Sequence, residues 1–243
     1  GHIPNSKSLP SSELLTNDGF LKSIEELDKF FSNNNINTDN IFIAKDRKTL
    51  TKIRFYGSRE SLLDRSQILL QADRGPQDKL GEEVSIRLFK GANNSLKESC
   101  ALVISDYNKG YILNGDILDI IEPARFKGIP IFVDSKKKDL SNFEGCIIKI
   151  NEKERSEIVS FPKRYELIVT KGAQGCEWRS INFPTKSVDV HDVCGAGDVF
   201  LAALVHKYLN TSGNMKESIA FANKCAAISV SKFGTWVIDP KEI

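Results

Sequence analysis

The sequence predicts an α/β protein whose mostly parallel sheet carries helices on both faces, and two observations support this. First, short apolar runs without polar alternation recur from residue 100 onward, as in strands buried on both faces. They cover residues 101–105, 129–134, 146–150 and 166–170. Second, segments of helical length, such as residues 117–127, separate several of these runs. Strand–helix repetition of this kind is typical of a parallel sheet.

The front of the chain shows clear periodicity in places. Apolar residues at helical spacing predict a helix over residues 20–31, which ends at the asparagines at 33–35. Residues 41–44 and 51–56 are predicted to be strands, and the second of them alternates in polarity. Residues 62–72 are apolar and fit either a strand or a helix.

Length and composition limit the classes of protein. At 243 residues the chain is long enough to bury one sizeable core, so a single domain over 1–243 is expected. The net charge of +2 is near balance and implies no nucleic-acid partner. No apolar run approaches the roughly 20 residues that span a bilayer. The five cysteines are odd in number and widely spaced, which indicates reduced thiols and a cytoplasmic location.

The most informative stretch is Asp-Val-Cys-Gly-Ala-Gly-Asp at residues 192–198, between a strand-like run at 187–190 and an apolar helical run at 199–205. Its two glycines let the backbone approach a ligand, since no side chain intervenes. The first N–H groups of a helix lack partners and favour an anion such as phosphate. Asp198 follows within one turn and could take a proton from an attacking hydroxyl. The residues alone also fit a tightly packed helix start.

Two predicted strand ends carry candidate residues that are individually ambiguous. Asp106 and Lys109 follow the first buried strand and could hold a sugar hydroxyl and a phosphate, but a polar turn closed by Gly110 explains them at least as well. Asn151 and Glu154 follow the third strand and share one face of a helical turn. They could reach the water shell of a magnesium ion, or they could form an N-terminal capping box.

Two further segments suit a nucleotide. Thr170 ends the fourth strand and could donate to a phosphate, while Gly172 and Gly175 allow a tight turn. Asn223 lies in a helix predicted over residues 215–232 and could help to form the wall of an adenine pocket. By default, the apolar face of that helix packs in the core.

The order of these motifs resembles that of the ribokinase or PfkB-type carbohydrate kinases over residues 100–237. Both show a buried strand followed by Asn-x-x-Glu, a strand that ends in Thr-Lys-Gly-x-x-Gly, then Gly-Ala-Gly-Asp, then a late helix with an Asn. Within that superfamily the sequence is most similar to the D-glycero-β-D-manno-heptose 7-phosphate kinases, the kinase half of the bifunctional heptose enzymes of lipopolysaccharide synthesis. This similarity is carried by residues 51–54, 105–110, 133–136 with Phe143 and Gly145, and 192–198. Ser135 and Cys194 replace the Pro and Thr common in that family.

The resemblance implies a ribokinase-like fold with a small β lid, for which residues 41–56 are candidates, and a nucleotide-binding and catalytic core over 100–243. It implies ATP and Mg²⁺ as cofactors, transfer to the anomeric C1 hydroxyl of the heptose phosphate, and a homodimer. The family pattern opens with a strand and a Gly-Gly-x-x-x-Asn segment that are not found here. An N-terminal part of the fold is therefore expected to be missing.

The resemblance also assigns roles to individual residues. The expected catalytic base is Asp198. The expected anion hole consists of the backbone N–H groups of Gly195, Ala196 and Gly197, and Glu154 is expected to bind magnesium through water. The expected substrate-binding residues are Lys52, Arg54, Asp106 and Lys109. The expected nucleotide-binding residues are Asn151, Glu152, Lys153, Glu154, Thr170, Lys171, Gly172, Gly175, Asn223 and Gly234.

Two alternatives stay open. One is another PfkB-type kinase that acts on fructose 6-phosphate, ribose or a nucleoside, although Lys52, Arg54 and Lys109 favour a phosphorylated sugar. The other is a nucleotide-binding relative that has lost catalysis. The intact Asp198 argues against that second alternative, since a protein without catalysis need not keep its base.

Overall fold

The computed structural model describes residues 22–33, 50–57, 67–76, 78–232, 234 and 236–243. The chain divides into two units, one within Lys7–Gly91 and the other over Ala92–Ile243. The second unit contains the sheet predicted from the apolar runs. The organisation of the whole chain as a single kinase domain stays a prediction.

The unit over Lys7–Gly91 begins, in its described part, with helix α1 (Ile24–Asn33). This helix starts at a capping box: the Oγ of Ser23 accepts the N–H of Glu26 at 3.3 Å, and Oε2 of Glu26 accepts the N–H of Ser23 at 3.0 Å. The helix predicted over 20–31 is therefore confirmed from residue 24 onward. A second helix, α2 (Glu82–Ser95), contains the boundary between the units at Gly91.

The same unit holds a two-stranded antiparallel sheet of β1 (Thr51–Gly57) and β2 (Gln67–Arg74). Strand β1 confirms the strand predicted over 51–56. Strand β2 shows that the ambiguous apolar run is extended from residue 67 to its end. The strand predicted over 41–44 lies outside the described residues.

The second unit is built on a six-stranded sheet in the order β3-β4-β5-β6-β7-β8. Its first four strands are parallel and confirm the four predicted apolar runs. They are β3 (Leu102–Asp106), β4 (Ile131–Ser135), β5 (Ile147–Asn151) and β6 (Glu166–Thr170). Two short antiparallel strands, β7 (Cys176–Trp178) and β8 (Ile181–Phe183), extend the sheet beyond β6.

Four helices accompany this sheet: α3 (Ile117–Lys127), α4 (Glu152–Glu157), α5 (Ala196–Asn210) and α6 (Met215–Val230). The strand predicted over 187–190 is wrong, because that segment is irregular and pairs with no strand among the described residues. None of the described helices is both long and apolar enough to cross a bilayer.

Helices α5 and α6 pack against one face of the sheet and form the main core. Phe132 of β4, Ile168 of β6, Leu204 of α5 and Ile219 of α6 are all fully buried in it. Helix α3 also packs on β4, and its buried apolar residues belong to a separate part of the interior. Burial of large apolar side chains at about 25 cal/mol per Å² is what holds α5, and therefore its N-terminus, against the sheet.

Candidate active site

The four parallel strands end side by side, each at a polar residue: Asp106, Ser135, Asn151 and Thr170. Asp106 is paired in register with Ser135, and Asn151 with Thr170. Ligands of open parallel sheets bind beyond the carboxyl ends of the strands. The sheet therefore brings the predicted motifs to one edge.

Helix α5 begins at the glycine-rich string, where Gly195 has a left-handed φ of 77°. The N–H groups of Gly195, Gly197 and Asp198 have no hydrogen-bond partner among the described residues. The N–H of Ala196, by contrast, donates to the carbonyl of Val193 at 3.3 Å and closes a tight turn. The amide of Ala196 is therefore already engaged, which differs from the predicted anion hole, whereas the amides of the two glycines are available to an anion; the anion hole itself stays a prediction.

A buried carboxylate, Asp192, fixes the loop in front of that helix start. Its Oδ1 accepts the N–H of Cys194 at 2.9 Å, and its Oδ2 accepts the N–H of Gly234 at 3.2 Å. Gly234, which the sequence places at the nucleotide, is thus tied to the loop that precedes α5. Asp192 belongs to the string seen in the sequence but was not among the predicted site residues.

A cleft of about 230 Å³ lies beside the start of α5. Six residues predicted for the nucleotide or its phosphates line it: Thr170, Gly172, Gly175, Ala196, Gly197 and Asn223. Apolar side chains, among them those of Val188, Val190, Phe200 and Ala226, supply most of the remaining wall. A mostly apolar cleft that reaches unpaired backbone N–H groups suits a ligand with a flat apolar part and an anionic part.

The turn after β6 borders this cleft, and it requires a glycine. Gly175 has a φ of 89°, and a Cβ built there would lie 2.1 Å from the carbonyl oxygen of Phe183. The Nδ2 of Asn223 donates to the same carbonyl at 2.8 Å, so α6 holds this turn in place. Lys171 does not line the cleft, because its Nζ pairs with Oε2 of Glu177 at 2.6 Å.

The Asn-x-x-Glu segment forms a capping box at the start of α4. Oδ1 of Asn151 accepts the N–H of Glu154 at 2.8 Å, and Oε2 of Glu154 accepts the N–H of Asn151 at 2.8 Å. The other carboxylate oxygen, Oε1, pairs with the ammonium of Lys136 at 2.5 Å. Residues 151–154 do not line the first cleft, and Asn151, Lys153 and Glu154 border a separate polar cleft.

A network of ion pairs, buried at Lys149 and Asp134 and partly exposed at Lys136 and Glu154, connects Glu154 to the start of α5. Nζ of Lys149, in β5, lies 2.5 Å from Oδ2 of Asp134, whose Oδ1 accepts Nζ of Lys136 at 3.0 Å. Burial by itself would lower the pKa of Lys136, but its bonds to Glu154 and Asp134 raise it above the usual value. A Cβ built on Gly197 would lie 2.9 Å from Nζ of Lys149. The Lys149 ammonium therefore lies directly against the predicted phosphate site.

Sequence reasoning missed Lys149, although one signal was present. Lys149 is the charged residue inside the apolar run at 146–150, which the sequence predicts to be buried. A lysine is rarely buried without an anionic partner, and Lys149 is only 3% exposed in the structure. What the sequence did not contain was the identity of that partner, because Asp134 lies on the neighbouring strand.

Asp198 is exposed in the first turn of α5, and Tyr107 contacts it. The hydroxyl of Tyr107 donates to Oδ1 of Asp198 at 3.1 Å and to Oδ2 at 3.2 Å. Burial, followed by the charge of Asp198, raises the pKa of Tyr107 to about 12. The phenol therefore remains a protonated donor at neutral pH. Tyr107 was not among the predicted site residues.

Asp106 is buried with both carboxylate oxygens engaged. Its Oδ1 accepts the N–H of Asn108 at 2.8 Å, and its Oδ2 accepts the hydroxyl of Ser135 at 3.1 Å. Nζ of Lys137 lies 3.5 Å from the same Oδ2. Asp106 thus anchors the loop after β3, and a direct bond to a sugar would have to replace one of these contacts.

The other predicted substrate residues are basic. Lys109 is partly buried in the loop after β3, and Lys52 is exposed on β1 in the other unit. Arg54 also lies in β1, and its side chain is outside the described part of the chain. Their contact with a substrate phosphate stays a prediction.

The fold and the site together define a class of protein. A parallel α/β sheet with unpaired N–H groups at a helix start, an apolar cleft beside it and a carboxylate in the first turn of the helix suits an enzyme that transfers a phosphoryl group. The sequence model described as pfkB family carbohydrate kinase matches residues 25–242. The chain therefore belongs to the pfkB family of carbohydrate kinases, which are phosphotransferases that act on a sugar hydroxyl.

A curated protein is similar to this chain over most of the chain's length. The Bifunctional protein HldE of Shewanella piezotolerans is 29% identical over 224 residues, which cover 83% of this chain and 44% of that protein. This chain thus spans about half the length of the curated relatives that it matches.

Solved structures show the same ribokinase-like fold. Phosphofructokinase-2 from Escherichia coli, in complex with substrates and products, superimposes with a TM-score of 0.64 at 17% identity, over 90% of this chain and 76% of that one. Ribokinase from Cryptococcus neoformans, in complex with ADP, gives a TM-score of 0.61 at 16% identity, over 91% and 76%.

Proposed function

We propose that this chain is an ATP-dependent sugar kinase that phosphorylates D-glycero-β-D-manno-heptose 7-phosphate at the anomeric C1 hydroxyl, a step toward ADP-heptose for lipopolysaccharide. One observation carries the kinase assignment: residues predicted separately for the nucleotide and its phosphates line one cleft, and Asp198 lies next to them in the first turn of α5. The similarity to HldE proteins and the matching stretches at 51–54 and 105–110 support the heptose phosphate as acceptor.

The nucleotide fits the cleft by its chemistry. The apolar wall beside Asn223 suits an adenine, and the free N–H groups of Gly195 and Gly197 suit the terminal phosphates. Preorganised donors of this kind are typically worth about 3 kcal/mol each at a transition state. Lys149 adds a positive charge behind Gly197 that needs no reorganisation, because Asp134 already holds it.

The residues present also fit magnesium bound with the nucleotide. Among the described residues, no group of three or more His, Cys, Asp or Glu could hold a metal ion. This fits an ion held mainly by phosphates and water, as Mg²⁺ prefers. Glu154 would hold that ion through water, for which Oε1 would have to be shared with Lys136. When bound, the ion supplies neutralisation of charge on the β- and γ-phosphate oxygens.

Asp198 serves as the proton acceptor in this mechanism. Phosphoryl transfer passes through a loose transition state, so the nucleophile loses its proton late and positioning outweighs basicity. Asp198 is exposed at the helix start and is oriented by Tyr107, so it is available to a sugar hydroxyl. The proton passes from the C1 hydroxyl to the carboxylate as the oxygen bonds to the γ-phosphorus and ADP leaves.

The remaining assignments concern the substrate phosphate and assembly. Lys52, Arg54 and Lys109 are proposed to bind the 7-phosphate. A homodimer through β1 and β2 is supported by exposed apolar side chains there: Phe55 is 50% exposed and Leu70, its register partner, 57%. A cytoplasmic location follows as part of the same proposal.

The test is a substrate panel with ATP and Mg²⁺, followed by ³¹P NMR. We expect a new glycosyl phosphate signal with the heptose 7-phosphate. Turnover should be at least about tenfold slower with ribose and a nucleoside, since they lack the phosphate and a missing charged contact costs about 1.4 kcal/mol or more. Fructose 6-phosphate keeps a phosphate but differs in ring and chain length, so its turnover should also be at least about tenfold slower. Faster turnover of any of the other acceptors would assign a different sugar. Absence of transfer to every acceptor, with ATP still bound, would indicate a relative that has lost catalysis.

A further inference from the structure

We propose that Tyr107 is a positioning residue whose hydroxyl holds the carboxylate of Asp198 in the orientation that receives the proton of the sugar hydroxyl. This inference rests on the proposed function, in which Asp198 is the base. Tyr107 and Asp198 are 91 positions apart in the sequence, and their contact joins the loop after β3 to the first turn of α5.

The geometry restricts the carboxylate. The Tyr107 oxygen lies almost equally far from both carboxylate oxygens, at 3.1 and 3.2 Å. A donor shared in this way opposes rotation of an exposed side chain that otherwise samples several rotamers. Each carboxylate oxygen accepts more than one hydrogen bond, so a sugar hydroxyl has a place beside the phenol.

Tyr107 is itself held from two sides. The bond from the N–H of Asn108 to Oδ1 of Asp106 closes a tight turn around Tyr107, and Asn108 has a φ of 54°. Nζ of Lys136 lies 5.9 Å from the centre of the tyrosine ring. Asp134 and Glu154 in turn fix Lys136. The position of the phenol is therefore fixed by the turn at buried Asp106 and by the paired ammonium of Lys136.

The experiment is Tyr107→Phe, which removes only the hydroxyl. We expect kcat for the sugar phosphate to fall about tenfold while KM for ATP and for the sugar changes less than about twofold, because a hydrogen bond to a charged group is lost from the transition state and not from binding. Tyr165→Phe is the matched control: Tyr165 is also partly exposed but stacks on Phe161. Its kcat should equal that of the wild type.

A double-mutant cycle separates positioning from a general structural effect. In the Asp198→Asn background, Tyr107→Phe should cause less than about a twofold further loss, since the carboxylate it positions is gone. The inference is overturned if the wild type is active and Tyr107→Phe leaves kcat unchanged, or if the losses multiply in the double variant. If the wild type phosphorylates no sugar, the proposed function fails first, and the inference falls with it.

Discussion

The two sides of the α5 N-terminus are built in different ways. The cleft that we propose for the nucleotide consists largely of backbone, glycines and apolar side chains, with Gly175 packed against the carbonyl of Phe183. The opposite side is a network in which Lys149, Asp134, Lys136 and Glu154 alternate in sign. The cleft would recognise a nucleotide by its shape and by free N–H groups. The network fixes charged side chains in position through ion pairs.

This difference separates two kinds of contribution. The apolar wall of the cleft and the turn after β6 contribute to ground-state binding of a nucleotide, because the part of the nucleotide that they would contact does not change during the reaction. Fixed charges at the transferred group act mainly when charge develops in the transition state. Substitutions on the charged side should therefore lower kcat, and substitutions in the cleft should raise KM for ATP.

Asp198→Asn should have the largest effect. We expect kcat to fall about 10³-fold, because an amide cannot accept the proton and general bases contribute 10²–10⁴. Calorimetric ATP binding should stay within about twofold, since no cleft contact is lost. Asp119→Asn, an exposed carboxylate of α3, is the control. Loss of ATP binding together with activity would make Asp198 a structural residue.

Gly197→Ala tests the boundary between the two sides. The added methyl would meet Nζ of Lys149 at 2.9 Å, and that ammonium is held by Asp134. We expect kcat/KM for ATP to fall about 100-fold, as in other cases where a preorganised donor is displaced. Gly115→Ala, where a Cβ meets nothing within 4 Å, should be neutral. Equal activity of both variants would show that phosphate does not approach this backbone.

Lys149→Met removes the buried charge and keeps an apolar stem of similar length. We expect kcat to fall about 30-fold and the free energy of unfolding to drop by about 3 kcal/mol, because a buried carboxylate loses a partner. Urea unfolding and steady-state kinetics measure the two effects. Exposed Lys216→Met should change neither. A stable variant with normal kcat would remove Lys149 from the mechanism.

Asn223→Ala should have the smallest effect and should act on the cleft side alone. Loss of its bond to the Phe183 carbonyl loosens the turn after β6, so KM for ATP should rise about fivefold, the equivalent of about 1 kcal/mol. Turnover at saturating ATP should be unchanged. Asn210→Ala breaks a similar amide-to-carbonyl bond outside the cleft and is the control. A fall in kcat instead of a rise in KM would contradict the division between the two sides.

The sequence was sufficient for the parallel core, because strands buried on both faces leave uninterrupted apolar runs. The four runs from 101 to 170 were all confirmed. The strand expected at 187–190 was wrong because local polarity says nothing about a pairing partner, and that segment borders the cleft instead. The short strands β7 and β8 were missed because three residues are too few to show periodicity.

The candidate site was predictable where the spacing of residues within one loop determines the conformation of that loop. Gly172 and Gly175 predicted a tight turn, and Gly195 and Gly197 predicted a backbone that a ligand can approach. The structure places Gly172, Gly175 and Gly197 on the cleft wall. The local pattern at Asn151 and Glu154 left two hypotheses. The contacts show the capping box, and the role of Glu154 at magnesium stays a proposal. Tyr107 and Lys149 escaped notice because their partners, Asp198 and Asp134, come from other strands and helices.

Asp192 has a consequence for anyone who engineers this protein. Its single carboxylate accepts hydrogen bonds from the N–H groups of both Cys194 and Gly234. Helices α5 and α6 lie between these two residues in the sequence. A tag, deletion or cross-link placed near position 234 would therefore alter the conformation of the glycine loop, which lies about forty positions earlier in the chain, without contacting that loop.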